Sequence, residues 1–298
     1  MFDVVTFGSA VADTFVDTNL AEKRGHIAYP VGAKLLIKDL KFDIGGGGTN
    51  TAVAFSRLGL KTGCVCKIGD SKAGQDILQL LKKEKIDFLG KQQKNTLSGQ
   101  SIILDSKENN RTILTYKGVN NNISFNEIKK FQTKWLYFSS LLGKSFESQI
   151  KLAKTLTKKG AKLAFNPSSY LIKRKNLKPL LKICHILVLN KEEAQMLTKD
   201  KDQLIGLKKL GPKIVVITDK NKEIQCYNSE EDKTYTLKPN KIKVVERTGA
   251  GDAFASGFVA GIIVGKSIPQ SLRLGLRESE SVIRHFGAKN KLLRLKLK

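Results

Sequence analysis

The segment Thr248–Phe254, which reads Thr-Gly-Ala-Gly-Asp-Ala-Phe, has the residue types and spacing best suited to chemistry. Its small residues Gly249, Ala250 and Gly251 leave backbone N–H groups bare at a predicted helix start, where such groups carry a partial positive charge. A turn of this kind suits the negative charge that builds on a transferring phosphoryl group. Asp252 beside it could accept the proton of an attacking hydroxyl. Taken alone, the string is equally consistent with an ordinary glycine-rich helix start.

A run of four glycines, Gly45–Gly48, leads through Thr49 and Asn50 into a second predicted helix. Residues without side chains cannot pack and lose much entropy on folding, so the run indicates a close approach of the backbone to another group. Asn50 at the helix entry is either an N-cap or a polar contact to a ligand. The sequence leaves both roles open.

Two further polar groups follow predicted strands. The string Gly8–Asp13 ends the first strand with a carboxylate, and Asn190–Glu193 follows the strand His185–Leu189. Parallel sheets bind ligands at the carboxyl edge of their strands. An amide and a carboxylate three residues apart, as in Asn190 and Glu193, could hold a hydrated Mg²⁺ and its phosphates there.

The elements that must position these groups alternate between short β-branched runs and longer amphipathic stretches. Strands are expected at Val4–Phe7, Thr62–Ile68, Trp135–Ser139, Lys162–Asn166, His185–Leu189 and Ile214–Thr218. Helices are expected at Thr49–Leu58, Gly74–Glu84, Phe146–Lys159, Asp252–Val264 and Ser271–Phe286. This alternation predicts an α/β fold with a mostly parallel central sheet and helices on both faces.

Two segments, at about residues 15–44 and 98–117, break this alternation. The first contains short extended pieces, and the second reads as two strands, Gly99–Leu104 and Arg111–Tyr116, joined by a polar turn around Asn109. A small secondary sheet over the strand ends would form a lid that closes a site and excludes water. The sequence therefore predicts an inserted β-sheet lid.

The composition limits the classes of protein. The chain of 298 residues is 41% hydrophobic, and no linker or repeat divides it, so we expect one domain over residues 1–298. The formal net charge of +26 raises the hypothesis of a nucleic-acid binder. However, lysines outnumber arginines and are spread along the chain, apart from the basic run 289–298, so no specific nucleic-acid binding is expected.

Cysteine usage and hydropathy indicate an intracellular protein. The cysteines at positions 64, 66, 184 and 226 form no C-x-x-C pair. Cys64 and Cys66 alternate along an expected strand, so these two are expected to be small buried thiols that point to one face. The N-terminus reads as a strand instead of a signal peptide. The most apolar stretch, Ala253–Gly265, is too short to cross a bilayer. These features predict a cytoplasmic location without membrane association.

Together the motifs resemble the ribokinase-like (PfkB) family of carbohydrate and nucleoside kinases. The matching strings run the length of the chain: Gly8–Asp13, Gly45–Asn50, Leu58–Leu60, Ile68–Asp70, Asn190–Glu193, Gly249–Asp252 and Ser281–Ala288. The resemblance implies a Rossmann-like sheet with a β lid. It also implies ATP- and Mg²⁺-dependent transfer of the γ-phosphoryl group to a hydroxyl of a small sugar or nucleoside.

The resemblance also implies a role for each matching residue. By position, Asp252 is similar to the family's general base, and Gly249, Ala250 and Gly251 to its anion hole. Contacts to the acceptor hydroxyls are implied for Asp13, Gly45, Gly46 and Asn50. Contacts to the nucleotide are implied for Asn190, Thr218 and Lys220, and organisation of Mg²⁺ through water or phosphate for Asn190 and Glu193. In this family the lid often forms a dimer interface, which makes a homodimer through the lid a further hypothesis.

The chain departs from the family pattern just before the anion-hole turn. Many relatives bind a monovalent cation there through an Asp, which is Glu246 in this chain. Glu246 and Thr248 are therefore candidate ligands of K⁺. The longer side chain of Glu246 and the neighbouring charge of Arg247 argue against potassium activation.

Two other departures concern the nucleotide and the acceptor. Relatives usually have glycines where this chain has Lys220 and Glu223, so the nucleotide sits differently or its site is weakened. Ribokinases proper commonly carry Lys at the position of Gly47, so ribose is not specifically indicated as the acceptor. These departures keep open a catalytically weakened sugar- or nucleoside-binding protein of the same fold. The net charge keeps a basic nucleic-acid-binding protein as a less favoured alternative.

Overall fold

The computed structural model of the chain describes residues 1–108 and 110–297; Asn109, at the predicted polar turn, and Lys298 lie outside the described residues. The strands are β1 (Phe2–Phe7), β2 (Val11–Asp17), β3 (Asp39–Gly45), β4 (Thr62–Val65), β5 (Lys67–Gly69), β6 (Asp87–Phe88), β7 (Lys91–Gln93), β8 (Gly99–Asp105), β9 (Arg111–Tyr116), β10 (Thr133–Ser139), β11 (Lys162–Asn166), β12 (Ile186–Asn190), β13 (Ile214–Thr218), β14 (Ile224–Asn228) and β15 (Lys233–Leu237). The α-helices are α1 (Gly47–Arg57), α2 (Lys72–Lys83), α3 (Gly143–Thr157), α4 (Ser169–Ile172), α5 (Lys178–Leu181), α6 (Lys191–Leu197), α7 (Gln203–Lys208), α8 (Ala250–Ile263) and α9 (Ile268–Ile283). Short 3₁₀ helices span Gly118–Asn121 and Phe125–Glu127.

The central sheet has nine strands in the order β15-β14-β13-β12-β11-β10-β1-β4-β6. All neighbours from β13 to β6 are parallel, and β14 and β15 add an antiparallel edge. Because parallel strands share one direction, the carboxyl ends of β1, β10, β11, β12 and β13 lie at a single edge. The predicted α/β fold with a mostly parallel sheet and a small β lid is confirmed.

Both faces of the sheet are covered, which explains why its strands are continuous apolar runs. On one face Val4 and Trp135 join Phe258 of α8 in a cluster that also includes residues of α1 and α9. On the other face Val5 and Phe138 pack with residues of α3, α5, α6 and α7. Alternate residues of one strand therefore contribute to opposite halves of the core.

The lid is a separate four-stranded sheet in the order β3-β2-β8-β9. β2 pairs antiparallel with β3 and parallel with β8, and β8 pairs antiparallel with β9. The predicted strands Gly99–Leu104 and Arg111–Tyr116 form its β8–β9 half. The first predicted segment, 15–44, supplies strand residues only at its two ends, and residues 18–38 between them are mostly irregular.

Several element boundaries differ from those expected from the sequence. The predicted strand Thr62–Ile68 is divided between β4 and β5, which belong to different sheets. The expected placement of Asp13 at the end of the first strand is wrong: β1 ends at Phe7, and Asp13 lies within lid strand β2. Among the described residues, no helix has both the length and the apolarity needed to span a membrane.

Candidate active site

The glycine run brings the first turn of α1 against the end of β1. Gly46, with φ of 95°, is the N-cap of α1, and a Cβ atom on Gly48 would lie 2.6 Å from the backbone of Gly8. A Cβ atom on Gly45 would lie 1.9 Å from Oδ2 of Asp13. The run is therefore without side chains because the main chain and a carboxylate already occupy the space.

Asp252 lies in the first turn of α8, which begins at Ala250, earlier than the predicted start at Asp252. Gly249, with φ of 78°, is the left-handed N-cap, and a Cβ atom on it would lie 2.5 Å from Cβ of Ala288. A Cβ atom on Gly251 would meet no heavy atom within 4 Å, so this side of the turn is open. The predicted bare helix start therefore has one packed side and one accessible side.

Asn50 connects the two glycine-rich turns. Its Nδ2 donates a hydrogen bond to Oδ2 of Asp252 at 2.8 Å, and its Oδ1 accepts one from Nζ of Lys289 at 2.8 Å. Asn50 lies inside α1, and Gly46 is the cap, so the N-cap alternative for Asn50 is wrong. Burial raises the pKa of Asp252, against the lowering effects of the Asn50 hydrogen bond and the Lys289 charge.

Asp13 faces the same group of charges from the lid. Burial raises its pKa to about 6, although nearby Lys289 and a hydrogen bond with Ser101 lower it, and Asp43 adds a raising effect. Asp43 pairs with Asp13 across the β2–β3 ladder. Asp13 and Asp252 therefore both interact with the charge of Lys289, and the pKa of Asp13 is raised to about 6.

Two cavities lie on the open side of the α8 turn, and they share the lining residues Thr218, Gly251 and Phe254. A cavity of about 660 Å³ lies between the β13–β14 turn and helices α8 and α9, and its lining includes Thr218, Lys220 and Gly251. A smaller cavity of about 240 Å³ is lined by Asn190, Glu193, Thr218, Gly249, Gly251 and Asp252, among others. The structure therefore brings the predicted nucleotide residues and Asp252 to one continuous edge.

Asn190 and Glu193 form a reciprocal cap at the start of α6. Oδ1 of Asn190 accepts from the Glu193 amide at 2.9 Å, and Oε2 of Glu193 accepts from the Asn190 amide at 2.9 Å. Oε1 of Glu193 accepts from the Ser169 amide at 3.2 Å. Both carboxylate oxygens already have donors, so the pair fits a metal that keeps its water and phosphate ligands better than direct ligation. Within the described part of the chain, no group of three or more His, Cys, Asp or Glu residues could hold a metal ion.

Lys220 has a backbone conformation that favours glycine. Its φ is 46°, in the left-handed region that favours glycine. Its exposed ammonium lies 3.2 Å from Oε1 of Glu192. The backbone beside the larger cavity therefore follows a path that a glycine would adopt without strain.

Glu246, the candidate cation ligand, has a guanidinium partner from the lid. Arg111, the first residue of β9, forms an ion pair with Oε1 of Glu246, and the amide of Gly287 donates to Oε2 at 3.2 Å. Thr248 lies two residues further along the loop, before the Gly249 cap. A third cavity of about 840 Å³ lies between this loop and the lid, lined in part by Phe15 and Phe286, whose rings are 4.5 Å apart.

Lys289 and Arg111 are the charged residues at this site that sequence reasoning missed. Lys289 was counted with the basic run 289–298, yet it is only 3% exposed. Its position directly after the matching string Ser281–Ala288 was the available indication. For Arg111, the predicted lid strand was correct, but nothing local indicated a partner in the loop before α8. The predicted buried thiols are confirmed, since all the cysteines are free and buried.

The chain is similar to proteins named as sugar and nucleoside kinases. An uncharacterized sugar kinase of Archaeoglobus fulgidus is 28% identical over 251 residues, which cover 81% of this chain and 99% of that protein. A cytidine kinase of Thermococcus kodakarensis is 34% identical over 149 residues, 47% of this chain and 53% of that protein. Among solved structures, the Arabidopsis thaliana ribokinase complexed with ribose and ATP has a TM-score of 0.80 at 21% identity, covering 99% of this chain and 97% of that one. The model of the pfkB family of carbohydrate kinases matches residues 1–294, and the chain therefore belongs to that family.

Proposed function

We propose that this protein is an ATP-dependent phosphotransferase that moves the γ-phosphoryl group to a hydroxyl of a small sugar or nucleoside, with Asp252 as general base. The observation that carries the proposal is the position of Asp252. It lies in the first turn of α8, it accepts a hydrogen bond from Asn50, and it lines the cavity that also contains Asn190 and Glu193. A carboxylate beside bare helix amides suits a proton transfer next to a developing phosphoryl charge.

The chain's residues divide the reaction between them. Asp13 and the main chain of Gly45 and Gly46 hold the acceptor hydroxyls. Asp252 takes the proton of the acceptor hydroxyl while the hydroxyl oxygen forms a bond to the γ-phosphorus of ATP. The bond between the γ-phosphorus and the β–γ bridging oxygen breaks, and ADP is released. The amides of Gly249 and Gly251 face the negative charge on the transferred group, whereas the Ala250 amide donates to the Arg247 carbonyl at 3.3 Å. Asn50 keeps the carboxylate of Asp252 turned toward this point.

ATP supplies the phosphoryl group, and the cavities fit its binding. The larger nucleotide-side cavity, about 660 Å³, lies within the size range of small-molecule sites, roughly 300–1,000 Å³. Thr218 and Lys220 line this cavity. The smaller cavity, lined by Asn190 and Glu193, extends from it toward Asp252. Mg²⁺ would be organised there through water and phosphate, because the Glu193 oxygens already accept from amides.

We assign the acceptor to a class of compounds, the small sugars and nucleosides. The cavity of about 840 Å³ between the lid and the body is not lined by Asp13, Gly45 or Gly46, so we assign it to the part of the acceptor that extends beyond the reacting hydroxyl. Its lining mixes the aromatic rings of Phe15 and Phe286 with charged residues. Both a sugar and a nucleoside suit such a surface, in keeping with the ribose and cytidine in the names of two related proteins.

Replacing the proposed base tests the function directly. We expect Asp252→Asn to lower kcat by roughly 10²–10⁴-fold, because the amide cannot accept the proton. ATP binding and thermal stability should be close to those of the wild type. An ATP-consumption screen over sugars and nucleosides identifies the acceptor first, and the variant is then measured with it. Turnover by the variant close to that of the wild type would refute the assignment of the base.

The binding-protein alternative rests on the departures at Lys220 and Glu223. The left-handed backbone of Lys220 weakens that argument, since Lys220 adopts a conformation that favours glycine. Thermal stabilisation by a sugar or nucleoside without ATP turnover would favour the alternative. The nucleic-acid-binding alternative requires salt-sensitive duplex binding that persists at physiological salt.

Two further predictions from the sequence are kept as proposals. The protein acts in the cytoplasm, where its nucleotide is abundant. It also forms a homodimer through the outer face of the lid, which we define as Leu40, Phe42, Ile102, Leu114 and Tyr116. These side chains are 44–73% exposed and lie on the same face of the lid sheet, where Thr14 and Val16 of β2 separate the β3 members from those of β8 and β9. An exposed apolar face of one sheet suits pairing with an identical face.

A further inference from the structure

Lys289 is a buried ammonium group in a site whose proposed mechanism gives it no task. It is 3% exposed and follows Ala288, the residue that packs against the Gly249 cap of α8. A buried ammonium is costly unless charged or hydrogen-bonding partners compensate for its lost hydration. Its contacts therefore indicate what the site requires of it.

A continuous chain of hydrogen bonds runs from Lys289 through Asn50 to Asp252. Nζ of Lys289 donates to Oδ1 of Asn50 at 2.8 Å, and Nδ2 of Asn50 donates to Oδ2 of Asp252 at 2.8 Å. An ammonium only donates and a carboxylate only accepts. The amide of Asn50 therefore has a single orientation that satisfies both neighbours, and Lys289 and Asp252 fix it together.

The backbone of Lys289 is itself held in place. Nη1 of Arg57 donates to the Lys289 carbonyl at 2.5 Å, and Arg57 forms an ion pair with buried Glu84. The preceding residue, Ala288, contacts the position of Gly249. Lys289 is thus tied both to α1, which carries Asn50, and to the turn before Asp252.

The Lys289 ammonium also balances the negative charge of the carboxylates on the acceptor side of the site. Asp13 and Asp43 of the lid and Asp252 of α8 all interact favourably with its charge. The glycine run Gly45–Gly48 has no charged side chain with which to balance these carboxylates. We propose that Lys289 is a positioning residue that, through the side-chain amide of Asn50, orients Asp252 and stabilises its carboxylate form, an inference that rests on the proposed kinase function.

The sign of the effect follows from the charges. Burial raises the pKa of Asp252, and Lys289 lowers it, so removal of the ammonium moves that pKa upward. The other groups facing these two residues are Tyr137 beside Asp252, and Asp13, Asp43 and Arg57 around Lys289. None of these supplies Asp252 with another hydrogen-bonded cation among the described contacts. A neutral residue at position 289 should therefore leave more of the base protonated at neutral pH.

The pH dependence of kcat in position-289 variants tests this inference. In Lys289→Met we expect kcat at neutral pH to fall about 10- to 100-fold, less than the loss of the base itself. The acid limb of kcat should move to higher pH, while the KM for ATP changes little. Lys289→Arg should keep the acid limb of the wild type. Lys291→Met, which removes an exposed neighbouring lysine, is the matched control and should behave as the wild type.

A second measurement does not depend on turnover. With ¹³C-labelled aspartate, the Asp252 carboxyl, assigned with Asp252→Asn, should titrate at higher pH in Lys289→Met than in the wild type. If the Met variant does not fold, Lys289→Gln, a neutral side chain that can still donate to Asn50, takes its place. An identical carboxyl titration and an identical acid limb would overturn the proposal. An upward shift without phosphoryl transfer by the wild type would preserve the coupling and refute the kinase function instead.

Discussion

At the scale of single residues, two partly buried carboxylates lie at the proposed reaction centre on different elements. Asp252 has a hydrogen bond from Asn50, while Asp13 has a partner in Ser101 and a like charge in Asp43. Different environments of this kind are how one site assigns different tasks to similar groups. The proton acceptor and the hydroxyl-binding carboxylate should therefore respond differently to pH.

Acceptor binding should weaken as the pH falls through about 6, the raised pKa of Asp13. Protonated Asp13 loses its negative charge and with it a strong, charge-assisted hydrogen bond to a hydroxyl. We expect the KM for the acceptor to rise below that pH while the KM for ATP changes less. In Asp13→Asn the acceptor KM should be high at every pH. An acceptor KM in the wild type that is constant from pH 8 to pH 5 would contradict this role.

At the scale of elements, the start of α8 has one packed and one open glycine. Gly249→Ala places a methyl group against Ala288 in a left-handed conformation. We expect it to lower the free energy of unfolding by about 1–2 kcal/mol from the backbone alone, with the clash adding to this. Gly251→Ala has free space and should leave the unfolding free energy almost unchanged but weaken ATP binding or transfer. Chemical denaturation and ATP kinetics of the pair measure both effects, and equal destabilisation would contradict the structure.

The lid is joined to the loop before α8 by the Arg111–Glu246 ion pair. The guanidinium pairs with the Glu246 carboxylate, the candidate ligand of K⁺, so we expect wild-type turnover to be similar in sodium and potassium salts. Arg111→Met leaves the Glu246 carboxylate without this partner. Its acceptor KM should rise, and potassium should restore part of the activity. Strong potassium activation of the wild type would contradict this role of the ion pair. So would an Arg111→Met enzyme with an unchanged acceptor KM and equal activity in sodium and potassium salts.

At the scale of the whole molecule, an overall charge of +26 and an apolar outer lid face occur together. Net charge alone favours separate copies by repulsion, whereas the exposed apolar face favours association. Salt screens the repulsion between exposed charges that are more than about 8–10 Å apart, but it does not weaken the contact between apolar faces. Association should therefore become stronger as the ionic strength rises.

Phe42, 73% exposed on β3, is the residue with which to test the proposed dimer. Phe42→Asp should convert a dimer into a monomer in light scattering coupled to size-exclusion chromatography, because a charge would be buried in the interface. Met196→Asp changes another exposed apolar residue, on α6, and should leave the dimer intact. A wild-type monomer at all concentrations would refute the homodimer.

The sequence by itself determined the central sheet, the existence of a lid and the turn that carries Asp252. These features depend on local patterns: alternating apolar runs, a glycine-rich helix start and strands that end in polar residues. The boundaries were less certain. Asp13, for example, was expected at the end of β1 and lies in the lid, because an extended backbone looks the same in either sheet.

Only the tertiary structure decided which distant groups complete the site. Lys289 and Asn50 are separated by 239 positions in the chain, and Arg111 and Glu246 by 135. No local pattern relates residues so far apart, and nothing in the sequence distinguishes a buried lysine from the exposed lysines around it. Burial and charge pairing arise when α1, the lid and the C-terminal segment pack together, so these partners became visible only in the folded chain.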